Sequence, residues 1–192
     1  AGTFSALPKQ DICGTCVAGR YSPVNATTTC TVCAAGSSQS SPGKSACDLC
    51  ASGSAVNLPE QTACVACDQG RFSNTTGLAI CLACPRGQFQ GSTGQSFCEL
   101  CQAGDFGAFA AVASCSACAA GTYTDVNGTT NCVQCAIGSA QPGSGQTSCN
   151  NCTTGRYQDT TGQDVCKACA TGRFTNVNGT AFACDDCAVG SV

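Results

Sequence analysis

Cysteine is the residue whose number and spacing stand out here: there are 22 in 192 residues, with no histidine. They form eleven Cys-x-x-Cys pairs, whose first members are Cys13, Cys30, Cys47, Cys64, Cys81, Cys98, Cys115, Cys132, Cys149, Cys166 and Cys184. Nine of the ten steps between pairs are 17 residues and the last is 18, and a glycine follows every second cysteine by three, from Gly19 to Gly190. Sulfur in this pattern has four chemistries open to it. Neighbouring pairs can be joined by disulfides, or alternate pairs can be joined, as Cys13–Cys30 with Cys16–Cys33. Each pair can close on itself, as redox motifs do. Four thiolates in Cys-x2-Cys-x13-Cys-x2-Cys spacing can hold zinc.

The residues alone order these readings without removing any. A disulfide between neighbouring pairs closes a loop worth roughly 3 kcal/mol in the chain-entropy model. A segment of 17 residues needs that help, because it cannot bury enough surface to fold alone. Joining alternate pairs would impose a double-length period that the sequence does not show. Self-closure ties down little chain. Zinc is disfavoured by the missing histidine, and the array never breaks into discrete fours.

Composition narrows the class. Cysteine above a tenth of all residues marks a disulfide scaffold. There are only 11 aromatics, with no Met or Trp, so no thick apolar core is available. Charged residues are 10% with a net charge of −3, so there is no basic face for nucleic acid. Without histidine, with scattered acids and with no phosphate-cradling loop, the chain is expected not to be an enzyme and to need no cofactor or metal. Asp185–Asp186 reads as an exposed acidic turn rather than a calcium site. Five Asn-x-Ser/Thr sequons, at Asn25, Asn74, Asn127, Asn151 and Asn178, join the cysteines in pointing to an oxidising, extracellular setting with covalent N-glycans. No apolar run is long enough to span a membrane and no signal peptide is visible.

A strict short period means one small unit repeated. Residues 1–12 read as the tail of a preceding repeat, residues 13–183 as ten repeats, the last with one residue inserted in Thr180–Ala183, and residues 184–192 as the start of another. Both termini fall inside a unit, which reads as a window on a longer array. Within a unit an aromatic recurs at Phe4, Tyr21, Phe72, Phe89, Phe106, Tyr123, Tyr157 and Phe174, preceded by Arg20, Arg71, Arg156 and Arg173 in four cases. Alternation along a short strand then predicts the ring inward and the guanidinium outward, covering a disulfide rung. Turn sequences such as V-N-G-T-T and S-T-G-Q-S predict a hairpin reversal next. No window has helical periodicity. Asn25, Asn127 and Asn178 share one phase, at six- and three-unit intervals, on the expected loop tip; Asn74 is similar, and Asn151, between Cys149 and Cys152, is expected to be shielded. The stretch Asp105 to Cys115 replaces the polar turn with Phe109 and Val112. These two form either a slightly larger local core or an exposed patch for assembly.

Units such as C-V-A-C-D-Q-G-R-F-S-N-T-T-G and C-S-A-C-A-A-G-T-Y-T-D-V-N-G resemble the ephrin-receptor-like cysteine-rich repeat. They also resemble the opening loop of tumour-necrosis-factor-receptor modules. In that loop the cysteine before the glycine pairs with the next one. The resemblance therefore implies Cys16–Cys30, Cys33–Cys47, Cys50–Cys64, Cys67–Cys81, Cys84–Cys98, Cys101–Cys115, Cys118–Cys132, Cys135–Cys149, Cys152–Cys166 and Cys169–Cys184, with Cys13 and Cys187 left over. Long arrays of such units are similar to surface antigens of ciliates and other protists. A constant short period sets this chain apart from receptor modules, whose loops vary.

The expectation is an elongated rod or solenoid of small disulfide-rich, hairpin-like repeats, with little regular strand and almost no helix. Its expected role is a secreted structural glycoprotein of a filament or cell-surface coat, partnered by copies of itself or by other coat proteins. The alternative is a ligand-binding or adhesive ectodomain or stalk of a cell-surface receptor. Tight stacking would require a continuous inward apolar ladder, and the aromatic phase lapses at Ser38, Ala55, Ala140 and Val192. Units touching only their neighbours are therefore favoured. A globule of this length has a radius of gyration of roughly 16 Å. Small-angle scattering is expected to return a value several-fold larger, and a value near the globular one would overturn the rod.

Overall fold

The computed structural model describes residues 1–5, 13–25 and 27–187. The fragments 6–12 and 188–192, which include Gly190 and Val192, lie outside the described residues. The chain divides into two compact units. One comprises residues 1–84, 90–99 and 111–113, and the other residues 85–89, 100–110 and 114–192. No helix occurs among the described residues, so none is long and apolar enough to cross a membrane.

The first unit contains five antiparallel two-residue hairpins. Thr3–Phe4 pairs with Gly14–Thr15, Arg20–Tyr21 with Thr31–Val32, Ser37–Ser38 with Asp48–Leu49, Ser54–Ala55 with Val65–Ala66, and Arg71–Phe72 with Leu82–Ala83. The second unit repeats the design. Asp105–Phe106 pairs with Ser116–Ala117, Thr122–Tyr123 with Val133–Gln134, Ser139–Ala140 with Asn150–Asn151, Arg156–Tyr157 with Lys167–Ala168, and Arg173–Phe174 with Asp185–Asp186. The register is constant. The ring-phase residue always faces the residue after the first cysteine of the next pair, as Tyr21 faces Thr31.

Two ladder residues cannot hold a sheet together, so the remaining backbone groups must find partners elsewhere. They find them in the following repeat. In the first unit Gly19 N–H donates to Gln39 O at 2.7 Å, Ser22 N–H to Lys44 O at 3.1 Å, Cys33 N–H to Gly19 O at 2.9 Å and Gly43 N–H to Cys16 O at 2.8 Å. The second unit does the same: Gly121 N–H to Gln141 O at 2.7 Å, Thr124 N–H to Gln146 O at 3.2 Å, Cys135 N–H to Gly121 O at 2.9 Å and Gly145 N–H to Cys118 O at 2.8 Å. Repeats lacking a ring stack in the same way. Gly36 N–H reaches Val56 O at 2.8 Å on either side of Ser38, Gly53 N–H reaches Ser73 O at 2.8 Å on either side of Ala55, and Gly138 N–H reaches Gln158 O at 2.7 Å on either side of Ala140. Backbone hydrogen bonds carry the stacking, so the expectation that it needs an unbroken aromatic ladder does not hold.

The inward residue is also not the ring. Tyr21 and Phe72 are half-buried, and Phe174 is 43% exposed. The buried side chain is the next one along: Ser22, Gln39, Val56, Ser73 and Gln90 in the first unit, and Thr124, Gln141, Gln158 and Thr175 in the second. The strands are too short for alternation to continue, and the chain turns inward one residue late. These polar groups are satisfied within their own loops. Gln141 Nε2 donates to Ser148 O at 2.7 Å and its Oε1 accepts from Gly143 N at 3.1 Å; Gln39 repeats this with Ala46 O at 3.0 Å and Ser41 N at 3.1 Å. Ser22 Oγ donates to Val24 O at 2.9 Å, and the Thr175 hydroxyl lies 2.7 Å from that of Thr180. The hydroxyl class falls three repeats apart, at Ser22, Ser73, Thr124 and Thr175, and the glutamine class follows one repeat later at Gln39, Gln90 and Gln141. This is the three-repeat rhythm visible in the sequons.

Repeats also touch beyond their neighbours. Gly36 has φ +84°, and a Cβ there would lie 2.1 Å from the carbonyl oxygen of Gly77, two repeats on. The turn position that approaches these glycines is usually glycine itself, but Glu60 (φ 64°) and Ala111 (φ 59°) occupy it twice. Left-handed backbone costs a side chain roughly 1–2 kcal/mol. Ala111→Gly is therefore expected to raise stability by about 1 kcal/mol, while Gly36→Ala drives a methyl into a carbonyl and opens the stack. Thermal unfolding of both variants checks the opposite signs.

Candidate functional site

Sulfur is the reactive element, and the structure puts it in ten disulfides: Cys16–Cys30, Cys33–Cys47, Cys50–Cys64, Cys67–Cys81, Cys84–Cys98, Cys101–Cys115, Cys118–Cys132, Cys135–Cys149, Cys152–Cys166 and Cys169–Cys184. Nine close a separation of 14 residues and the last one of 15, the extra residue lying in the segment that carries Phe182, 75% exposed. In the tenth rung Cys184 is buried and Cys169 half-buried, but in the other nine the second cysteine of the pair is inside: Cys16, Cys33, Cys50, Cys67 and Cys84 in the first unit, and Cys101, Cys118, Cys135 and Cys152 in the second, are at most 1% exposed. Their partners Cys30, Cys47, Cys64 and Cys81 are half-buried. Sulfur atoms bound to each other are not thiolates, so these rungs supply neither a metal nor a nucleophile. Cys13 and Cys187 are exposed and unbonded.

Shallow grooves run beside several of the rungs. One, about 370 Å³, is lined by Ala55, Leu58, Val65, Arg71, Ile80 and Cys81 in the first unit. A second, about 290 Å³, uses the matching positions Ala140, Asn151, Arg156, Val165 and Cys166 in the second unit. A third, about 280 Å³, has Phe4, Thr15, Val17, Arg20 and Cys30. The grooves at Ala55 and Ala140 have alanine at the ring phase, whereas a further one, about 340 Å³, is lined by Tyr123, Ser139 and Cys149. The arginine on the wall is already engaged: Arg71 Nη1 donates to Cys81 O at 3.2 Å and Arg156 Nη1 to Cys166 O at 3.1 Å. It therefore caps the carbonyl beside the rung instead of presenting a free charge. Arg20 adds a bidentate pair to Glu60 at 2.5 and 3.0 Å, and this hydrogen bond holds the Glu60 carboxyl below the usual carboxylate range. A lowered pKa means that this contribution is present near neutrality and fades as the pH falls through the folded value; at an exposed site salt screens it.

The remaining residues singled out in the sequence are scattered over the surface. Asp185–Asp186 is a strand, not a turn, with Asp186 Oδ1 2.8 Å from Arg173 Nε. Phe109 is 74% exposed, so it adds nothing to a local core. Val112 is half-buried, and its carbonyl accepts from Gln90 N at 3.2 Å. Asn25, Asn127 and Asn178 are exposed in turns, and Asn74 is exposed two residues before one. Asn151 is exposed too, so it is not shielded by burial as expected; it lies in the strand Asn150–Asn151. The buried Gln and Ser/Thr row was missed by the sequence reading, although its signal is there: a polar residue directly after the ring phase, at constant period.

Residues 70–111 match the family model described as tyrosine-protein kinase ephrin type A/B receptor-like. No curated protein matches the chain. The matched stretch carries the rung Cys84–Cys98. The disulfide ladder and this match point together to a cysteine-rich repeat segment at the cell surface or outside the cell.

If the groove at Ala55 exists because a ring is missing there, Ala55→Phe fills it and sets an aromatic across from Val65. The expected gain is about 0.2–1 kcal/mol, read as a higher denaturant midpoint at unchanged slope.

Proposed function

We propose that the array is a structural segment of an extracellular filament or cell-surface coat, whose task is to resist extension and proteolysis. The observation that supports this is the indifference of the stack to its side chains. The same rung and the same inter-repeat backbone bonds recur where the ring is Phe, Tyr, Ser or Ala. A binding surface needs particular side chains at particular places, whereas a mechanical element needs only the ladder. The polypeptide has no histidine, and we read it as non-catalytic and free of cofactors. Its partners in this reading are further copies or other coat proteins, with the 74% exposed Phe109 as a lateral contact. The match of residues 70–111 favours a second reading, the stalk or ectodomain of a receptor or adhesin.

Stretching single molecules tests the mechanical reading. With rungs intact, force passes through the disulfide and the three residues from Cys30 to Cys33, a limit of roughly 16 Å per repeat. After reduction all the residues of a repeat extend, to roughly 58 Å. The expected record is short, uniform extension without reductant and a more than threefold lengthening with it. Extension equal in both conditions would overturn the proposal. Saturable capture of a soluble ligand by the intact array would favour the receptor reading.

A further inference from the structure

Two sequons far apart in the chain meet in the second unit. Asn151 sits in the strand residue that covers the turn glycine of a later repeat, as Leu49 covers Gly77 and Leu100 covers Gly128. Here the covered glycine is Gly179, the middle residue of the sequon Asn178-Gly179-Thr180. Asn151 Cγ and Nδ2 lie 3.6 and 3.7 Å from the point where a Gly179 Cβ would sit. In return Asn178 Oδ1 accepts from the N–H of Thr154 at 3.1 Å, within the strand-to-turn segment that follows Asn151. The exposed side chain of Asn151 thus lies beside the turn of the other sequon, with its amide near the open Cβ side of Gly179.

Asn178 is held differently. Its Oδ1 is fixed by Thr154 N–H, and its sequon hydroxyl, Thr180 Oγ1, lies 2.7 Å from the buried Thr175 hydroxyl. Asn127 repeats both contacts, with Ala103 N at 2.8 Å and Thr124 bonded to Thr129 at 3.3 Å. Asn25 occupies the same register, accepting from the nitrogen of Ala1, with Ser22 and Thr27 hydroxyls 2.7 Å apart. In each case the acceptor oxygen is used and the amide nitrogen is the free end of an exposed side chain. A glycosidic bond at that nitrogen removes one proton and leaves Oδ1 able to accept as before.

We infer that Asn25, Asn127 and Asn178, with exposed Asn74, are N-glycan acceptors in the folded protein, and that Asn151 is excluded because its amide packs on the Asn178 sequon. The inference rests on the extracellular reading above. The reaction joins Asn Nδ2 to the anomeric carbon of a lipid-pyrophosphate-linked oligosaccharide. The anomeric C–O bond breaks, the pyrophosphate leaves with the lipid, the nitrogen loses a proton and nothing is oxidised. A sugar on Asn151 would displace the strand residue from Gly179, and the two sugars would compete for one space.

The test uses the whole chain secreted from a eukaryotic cell, with occupancy of each sequon read by peptide mass spectrometry after enzymatic glycan release in heavy-oxygen water. The expected map has sugar at Asn25, Asn74, Asn127 and Asn178 and none at Asn151. Asn151→Gln should leave the glycan number unchanged, while Asn178→Asp, which keeps the Oδ1 acceptor, should remove one glycan. Sugar on Asn151 and Asn178 of the same molecule would overturn the inference and leave the extracellular reading intact. A secreted protein with no sugar at any sequon would instead sink the glycoprotein reading itself.

Discussion

A loop closed by sulfur is the constraint on which the rest depends. A repeat of 17 residues orders too much backbone for the surface it can bury, since each residue fixed costs roughly 1–2 kcal/mol. Closing the loop from Cys16 to Cys30 across a Cα separation of 5.7 Å removes part of that cost from the unfolded side, by roughly 3 kcal/mol in the chain-entropy model. The rung also fixes which backbone groups face outward along the stack. Gly19 N–H and Ser22 N–H stand on one side of the rung and find carbonyls in the next repeat. Sulfur makes the loop, and the loop then presents the hydrogen bonds that join it to its neighbours.

The polar interior follows from the same geometry. Once a fully buried cystine half such as Cys33 occupies the centre, little room remains for a large apolar side chain from a two-residue strand. What fits is a residue that serves its own loop. Gln141 spans that loop with both ends bonded, and Thr175 does a shorter version with Thr180. A buried amide that loses a partner costs more than the bond contributes when made. These residues therefore specify one loop conformation more than they add net stability. Where Val56 takes the position, the loop is held without such a bridge, and no buried polar side-chain atom is left unpartnered among the described residues.

The hairpin unit, its period and the reversal after the ring were legible because each rests on a local signal: a fixed cysteine step, Asn-Gly and Thr-Gly turns, and no helical pattern. Two things were not. The ring was assigned inward by strand alternation, but alternation presumes a strand longer than Arg20–Tyr21. The stacking was tied to aromatics because side chains are what a sequence displays, while the bonds that stack Gly36 on Val56 belong to the backbone and leave no mark on residue type. Only the glycines hint at them. The close approach of Gly36 to Gly77 O explains a glycine at that place in a way that turn geometry alone does not. The covering of Gly179 by Asn151 was equally hidden, because it joins residues of successive repeats through the stack.

Backbone-borne stacking has a consequence for how such an array can be used. Each repeat is joined to the next by bonds that do not depend on the side chains at the ring phase or in the turn, so those positions are free to carry other duties. Phe109 can stand exposed in one turn, Asn127 and Asn178 can stand in others, and Ala55 can leave a groove, without interrupting the ladder beneath. The freedom has a limit set by contacts one and two repeats away. A turn residue must leave space for the glycine that approaches its carbonyl, and a strand residue must leave space for the turn glycine it covers. Asn151 lies against the turn of Gly179, whereas Asn178 stands exposed in that turn with its Oδ1 accepting from Thr154 N–H. Surface chemistry on this array is therefore decided by register between repeats more than by local sequence, and a motif match has to be tested against the stack before it is assigned a role.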